Sequence, residues 1–310
     1  MKKQLLIIAA SLSLMPVGNL FAVQNQTFIK STENLIAKNI SHSTHNESLM
    51  EKGDKKYKSK DYKGAITDYS KILINNPNDF HALFQRALAK SYLNDHLGAI
   101  KDYTKAIEID PEYASAFYNR GLSKDKIDDD YGAISDFNKA IALDGKHQKA
   151  YIYRGYAKSD IGDHEGAIKD LTSAIEIKPE DAYGYSARGY VKERAGDYYA
   201  AISDYSKAIK IDPDDYYSFA GRGYAKGQIG DNKGAIIDFT KAIEINPDDS
   251  YSFFGRGVIN KISGNYDLAC DDWIKSSDLG YEGADKKANE CKNTDHVKKN
   301  IQELLSSQNY

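Results

Sequence analysis

The chain has 310 residues, 41% hydrophobic and 28% charged, with a formal net charge of −3 at pH 7. That hydrophobic share suffices for folding without implying one globular core, because a solenoid spreads its core along its length. Acidic and basic residues are interspersed, so nothing recommends a nucleic-acid partner.

From the N-terminus, Lys2 and Lys3 precede an apolar run from Leu5 to Leu14, then Pro16, Gly18 and a cleavage site after Ala22. This is the layout of a secretory signal peptide over residues 1–22, and the run falls well short of the roughly 20 residues that span a bilayer. No cysteine near the cleavage point offers a lipid acceptor. The expected mature protein is therefore exported and not membrane-inserted, periplasmic or secreted, with a charge of about −5 once two lysines are lost. Residues 23–45 read as a polar linker, with a weak helical pattern from Phe28 to Ile40. His42 and His45 alone are poor evidence for a metal site, and no metal or cofactor is expected.

From Asn46 the sequence repeats. Copies of a 34-residue unit begin at Asn46, Phe80, Ala114, Gln148, Ala182, Tyr216 and Ser250, giving units 46–79, 80–113, 114–147, 148–181, 182–215, 216–249 and 250–283. The unit is clearest in Tyr151 to Asp163 (YIYRGYAKSDIGD) against Tyr185 to Asp197 (YSARGYVKERAGD). Counting within the unit, place 8 is Gly53, Gly121, Gly155, Gly189, Gly223 and Gly257, with Ala87 the exception. Place 20 is alanine throughout, from Ala65 to Ala269. Place 24 is aromatic in Tyr69, Tyr103, Phe137, Tyr205, Phe239 and Trp273, with Leu171 in the fourth copy.

Places 4, 8 and 11 make one helical stripe and places 20, 24 and 27 another, so each unit reads as two helices. Gly-Asp pairs such as Gly162-Asp163 end the first helix and cap the second. Pro77, Pro111, Pro179, Pro213 and Pro247 stop the second helix, after which Asp181, Asp215 or Asp249 caps the next unit. Glycine within a helix costs about 0.5–1 kcal/mol against alanine, so its recurrence at place 8 predicts close helix approach there.

This unit resembles the tetratricopeptide repeat in period, in small residues at places 8, 20 and 27, and in proline at place 32, over about Asn46 to Gly283. The resemblance implies an all-α, right-handed α-solenoid of seven helix-turn-helix units. The chain departs from the pattern with arginine at place 7 (Arg86, Arg120, Arg154, Arg188, Arg222, Arg256) and mostly lysine at place 11. Aspartate at place 23, Asp68 to Asp272, recurs in every copy, which describes a ladder of ion pairs to those arginines rather than an active site. Spacing leaves open whether each pair lies within one unit or joins two.

After the seventh unit, residues 284–310 are expected to supply a capping helix and tail, with a second helical stretch near Val297 to Leu305. Cys270 and Cys291 fall at place 21 of the last unit and place 8 of the cap. A disulfide between them is one expectation for an oxidising compartment, and two buried thiols are the other.

No nucleophile motif, phosphate loop or metal-binding histidine pair occurs, and the expected protein is not an enzyme. What the resemblance implies is binding through places 2, 5, 9, 12 and 13 on the inner face of the first helices. Place 2 holds Tyr183, Tyr217 and Tyr251, place 9 holds Tyr156, Tyr190 and Tyr224, and place 5 holds Tyr118 and Phe254. Tyrosine joins apolar area to a hydrogen-bonding end at little entropic cost, which suits a recognition surface. Packing between adjacent first helices is the competing use of these rings. The carboxylate clamp that some family members use for chaperone tails is not supplied: Asn119 and Lys149 suit it, but Phe84, Leu88 and Tyr153 do not. The expectation is a non-catalytic scaffold of the bacterial envelope that binds an extended peptide or a partner helix. A cell-wall glycan binder and a secreted protein acting on host cells are the alternatives.

Overall fold

The computed structural model describes residues 48–293. The expected signal peptide, the expected linker with His42 and His45, and the stretch from Val297 to Leu305 lie outside the described residues. Among the described residues all regular structure is helical. The chain divides into two compact units, one ending at Asp110 and the other starting at Pro111.

The first unit contains α1 (48–58), α2 (Tyr62–Asn75), α3 (Phe80–Tyr92) and α4 (His96–Ile109). Helix α3 packs on both α2 and α4. Its core gathers Leu49, Tyr69, Ile72 and Leu83 around Ala65 and Ala82. The second unit continues as α5 (Ala114–Asp125), α6 (Asp130–Leu143), α7 (Gln148–Asp160), α8 (His164–Ile177), α9 (Ala182–Arg194) and α10 (Tyr198–Ile211). It ends with α11 (Tyr216–Gln228), α12 (Asn232–Ile245), α13 (Ser250–Ile262), α14 (Tyr266–Asp278) and α15 (282–293). From α5 to α14 each helix packs on its successor, and the first helices α5, α7, α9, α11 and α13 also touch one another in series. Those first helices therefore share one face of the second unit.

The turn inside each repeat needs a residue at place 15 in the left-handed region, where φ is +86° at Gly162, +82° at Gly196 and +83° at Gly230. Lys60, Asn94 and Asp128 take the same conformation, which costs an ordinary residue about 1–2 kcal/mol. The next aspartate caps the second helix: Asp163 accepts from Gly166 N at 2.9 Å and Asp231 from Gly234 N at 2.9 Å. Caps on the first helices are less uniform. Asp181 accepts from Tyr183 N at 3.1 Å and Asp215 from Ser218 N at 3.3 Å. Asp249 stands at the N-cap of α13 but makes no side-chain cap bond, contrary to its sequence pattern.

The small residues have a packing reason. A Cβ placed on Gly121 would lie 2.7 Å from Phe137 Cε1, and one on Gly189 would lie 3.0 Å from Tyr205 Cδ1. Place 8 thus lies directly against the place-24 side chain. Ala133, Ala167, Ala201, Ala235 and Ala269 at place 20 are fully buried beneath the same contact.

The charge ladder closes within each repeat. Arg188 donates from Nε and Nη2 to Asp204, both at 2.8 Å, and Lys192 reaches the same carboxylate at 2.8 Å. The Arg–Asp fork recurs at Arg86–Asp102, Arg120–Asp136, Arg154–Asp170, Arg222–Asp238 and Arg256–Asp272. In the last repeat Asn260 replaces the lysine and donates to Asp272 at 3.1 Å.

Each carboxylate of the ladder is buried, from 1% exposed at Asp238 to 5% at Asp204. These are therefore not the weak, exposed pairs that contribute about 0–1 kcal/mol. The remaining guanidinium nitrogen reaches back to place 25 of the preceding repeat, with Arg188 Nη1 donating to Thr172 Oγ1 at 3.0 Å and Arg222 Nη1 to Ser206 Oγ at 3.0 Å. The plane also rests over the aromatic at place 4, 5.3 Å from the Tyr151 centroid at Arg154. One arginine thus joins two helices of its own repeat to the repeat before it.

Candidate binding face

Aromatic residues crowd the shared face of α7, α9, α11 and α13, and a cavity of about 980 Å³ opens among them. Its walls include Tyr156, Tyr183, Tyr190, Tyr217 and Tyr251. Side-chain size at place 5 explains the opening. That place carries Tyr118, Ile152 and Phe254 in other repeats of this unit, but Ser186 and Ala220 in the two repeats that line the cavity. Two bulky side chains are absent from adjacent first helices, and the rings at places 2 and 9 border the space.

Exposure separates these rings. Tyr217 is 66% exposed, Tyr183 46%, Tyr190 43% and Tyr251 37%. Tyr156 is half-buried, with its ring 6.1 Å from Tyr190 and 6.4 Å from Tyr183 in edge-on contacts. Arg194, paired with Asp160, lies 5.8 Å from the Tyr190 centroid. Burial raises the Tyr156 and Tyr251 phenols above their ordinary range, so both are neutral donors at neutral pH.

Three further aromatics expected on this face make contacts with neighbouring rings of the chain. Tyr118 packs against His147, Tyr153 and Phe137 at 4.8, 6.0 and 6.0 Å between centroids. Tyr224 meets Tyr198 at 6.4 Å, beside the core of Ala235, Phe239 and Ile259. Phe254 lies 4.9 Å from Tyr281 between centroids, in a tilted contact. Their contacts are intramolecular packing, the competing use of the pattern.

The cavity also contains residues that the repeat pattern hides. Tyr205, the place-24 aromatic of α10, sends its hydroxyl to Glu193 Oε2 at 3.0 Å. Gly221 leaves room for it, since a Cβ there would lie 2.7 Å from that hydroxyl. Burial pushes the Glu193 carboxyl up to about 7, against the opposing hydrogen bond from Tyr205. Glu193 occupies place 12, where the other repeats of this unit have Asp125, Ser159, Gly227 and Lys261.

At the C-terminal end, Cys270 of α14 and Cys291 of α15 form a disulfide with Cα atoms 5.5 Å apart. Among the described residues no three metal-ligating side chains cluster, and no helix is long and apolar enough to cross a membrane.

The model of the tetratricopeptide repeat matches residues 148–181, 182–215 and 216–249, and a second model described as TPR repeat matches 92–124. The crystal structure of MamA is similar at 30% identity and TM-score 0.50, over 52% of this chain and 94% of that one. The chain belongs to the tetratricopeptide repeat family.

A tetratricopeptide repeat protein from Parabacteroides merdae ATCC 43184 shares the fold at TM-score 0.67 and 18% identity, covering 80% of this chain and 97% of the other. Yeast Tom70 does so at TM-score 0.59 and 20% identity, over 88% of this chain and 60% of that chain. No protein of curated function matches. As an array of tetratricopeptide repeats the chain has the architecture of a protein-binding scaffold, whose grip on a partner depends on the residues set upon it.

Proposed function

We propose that this tetratricopeptide repeat protein is a non-catalytic scaffold of the bacterial envelope that binds an extended peptide or a partner's helix on the tyrosine face of α7, α9, α11 and α13. One observation carries the reading: tyrosines from four successive first helices converge on a single cavity of about 980 Å³. Such a cavity is large enough to take several side chains, and Tyr183 and Tyr217 present much of their area to solvent.

The N-terminal layout of residues 1–22 supports export, and a Cys270–Cys291 disulfide suits an oxidising compartment. The test uses mature protein as bait for cross-linking and mass spectrometry against an envelope extract, beside a Tyr183→Ala/Tyr217→Ala/Tyr251→Ala variant. Partners lost by the variant while its helical circular dichroism is unchanged support the reading. Partners captured equally by both proteins refute the face. Sedimentation of the wild type, but not the variant, with purified cell wall would point to glycan instead.

A further inference from the structure

The same cavity has an unbalanced charge. Six carboxylates line it, Glu180, Asp181, Glu193, Asp212, Asp215 and Asp249, and the lining contains no lysine, arginine or histidine. Three of the six serve the backbone: Asp181 and Asp215 cap α9 and α11, where they offset the partial positive charge of the helix ends, and Asp212 accepts from Asp214 N at 3.1 Å. Asp249 stands at the N-cap of α13 without a side-chain cap bond, and its Oδ2 atom, shut off from solvent, has no hydrogen-bond partner within the protein. Glu193 has only the Tyr205 hydroxyl on one oxygen.

The chain itself shows what such surroundings hold. In five repeats of the second unit a guanidinium lies 5.3–5.9 Å from an aromatic centroid while its nitrogens bond a buried aspartate. The cavity offers the same two partners, ring and carboxylate, without a cation in its lining.

We propose that the cavity receives the cationic side chain, arginine or lysine, of an extended basic peptide segment, with Tyr183, Tyr217 and Tyr251 around it and Asp249 and, in its ionised form, Glu193 supplying the opposing charge. This proposal rests on the tyrosine face being a peptide groove. It names the feature of the partner that selects this groove: a basic residue within an unstructured stretch. A neutral or acidic segment would leave the carboxylates desolvated and unpaired.

Fluorescence anisotropy with three labelled ten-residue glycine-serine peptides tests it, one carrying three arginines, one three citrullines and one three glutamates. The expected result is that mature wild type binds the arginine peptide at least tenfold more tightly than the citrulline peptide and does not bind the glutamate peptide. Glu193→Gln keeps an acceptor for Tyr205 and is expected to lose about tenfold for the arginine peptide alone. Glu244→Gln, the same charge change on the exposed side of α12, is expected to lose nothing.

Equal losses in both glutamine variants would reduce the attraction to general charge and overturn the proposal. If arginine and citrulline peptides bind equally, and the triple tyrosine variant loses both, the groove stands and the cation pocket falls. If the triple variant keeps both, the groove reading itself falls. Absence of binding by every peptide at millimolar concentration overturns the cation pocket.

Discussion

Replacing Arg188 with methionine tests how the repeats are joined. Arg188 contributes two hydrogen bonds to Asp204, one to Thr172 in the preceding repeat, and a face over Tyr185 at 5.9 Å. Breaking a buried ion pair by removing one partner costs about 3–5 kcal/mol, mostly because the other charge is left buried. Two facts move Arg188→Met to the lower end, about 3 kcal/mol. Lys192 remains 2.8 Å from Asp204, and the Arg188 side chain itself is 19% exposed. An exposed pair makes the control: Lys241→Met removes the partner of Glu244, with exposures of 48% and 60%, and should cost at most about 0.5 kcal/mol.

Repeat arrays can unfold in segments, so hydrogen exchange read by mass spectrometry is the assay of choice. A loss of about 3 kcal/mol is roughly a hundredfold faster exchange in α9 and α10. Removing both charges with Arg188→Met/Asp204→Leu should restore at least half of the loss, because no unpaired carboxylate remains. If Arg188→Met costs no more than Lys241→Met, the ladder is ornament and the reasoning fails.

Three further outcomes follow from the same contacts. Gly189→Leu drives a side chain into the Tyr205 ring and should cost about 1–3 kcal/mol, and an unchanged melting temperature would contradict the place-8 to place-24 packing. Reducing the Cys270–Cys291 bond, which spans a sequence separation of 21, should cost about 3 kcal/mol in the chain-entropy account, read as a fall in the denaturation midpoint.

The third concerns pH. Folding raises the Glu193 carboxyl to about 7, so its protonated form is the favoured one, and that favourable contribution is complete below the unfolded value and lost as pH rises through 7. The groups facing it are the phenols of Tyr205, Tyr224 and Tyr251, neutral over this range. The stability of Glu193→Gln relative to wild type should therefore rise between about pH 4.5 and 7 and then level off. A difference independent of pH would show that Glu193 is not desolvated.

The helices and their pairing were legible because the same few residue types recur at the same places. Glycine at place 8 and the ring at place 24 are two halves of one contact, and each halves the ambiguity of the other. The charge ladder was only partly legible. Spacing identified arginine and aspartate as partners, but places 7 and 23 are compatible with pairing within a repeat or between repeats. Only the geometry showed that the fork closes inside the repeat while its third nitrogen reaches Thr172 or Ser206 behind it.

The cavity was illegible for the opposite reason. It depends on departures from the repeat: Ser186 and Ala220 where larger residues stand elsewhere, and glutamate only at Glu193 among the place-12 residues of the second unit. A reading that seeks recurrence passes over them, although a run of small residues at place 5 was present as a signal.

In the proposed function the first-helix tyrosines, and not exposed tyrosines in general, meet the partner. Tyr217 and Tyr199 are 66% and 74% exposed, yet Tyr217 lines the cavity on α11 and Tyr199 lies outside it on α10. A photo-activated benzoylphenylalanine placed at each position, with adducts identified by mass spectrometry, separates the two. One recurring partner segment is expected at position 217 and none at 199; the same adducts at both, or adducts at 199 alone, would overturn the tyrosine face.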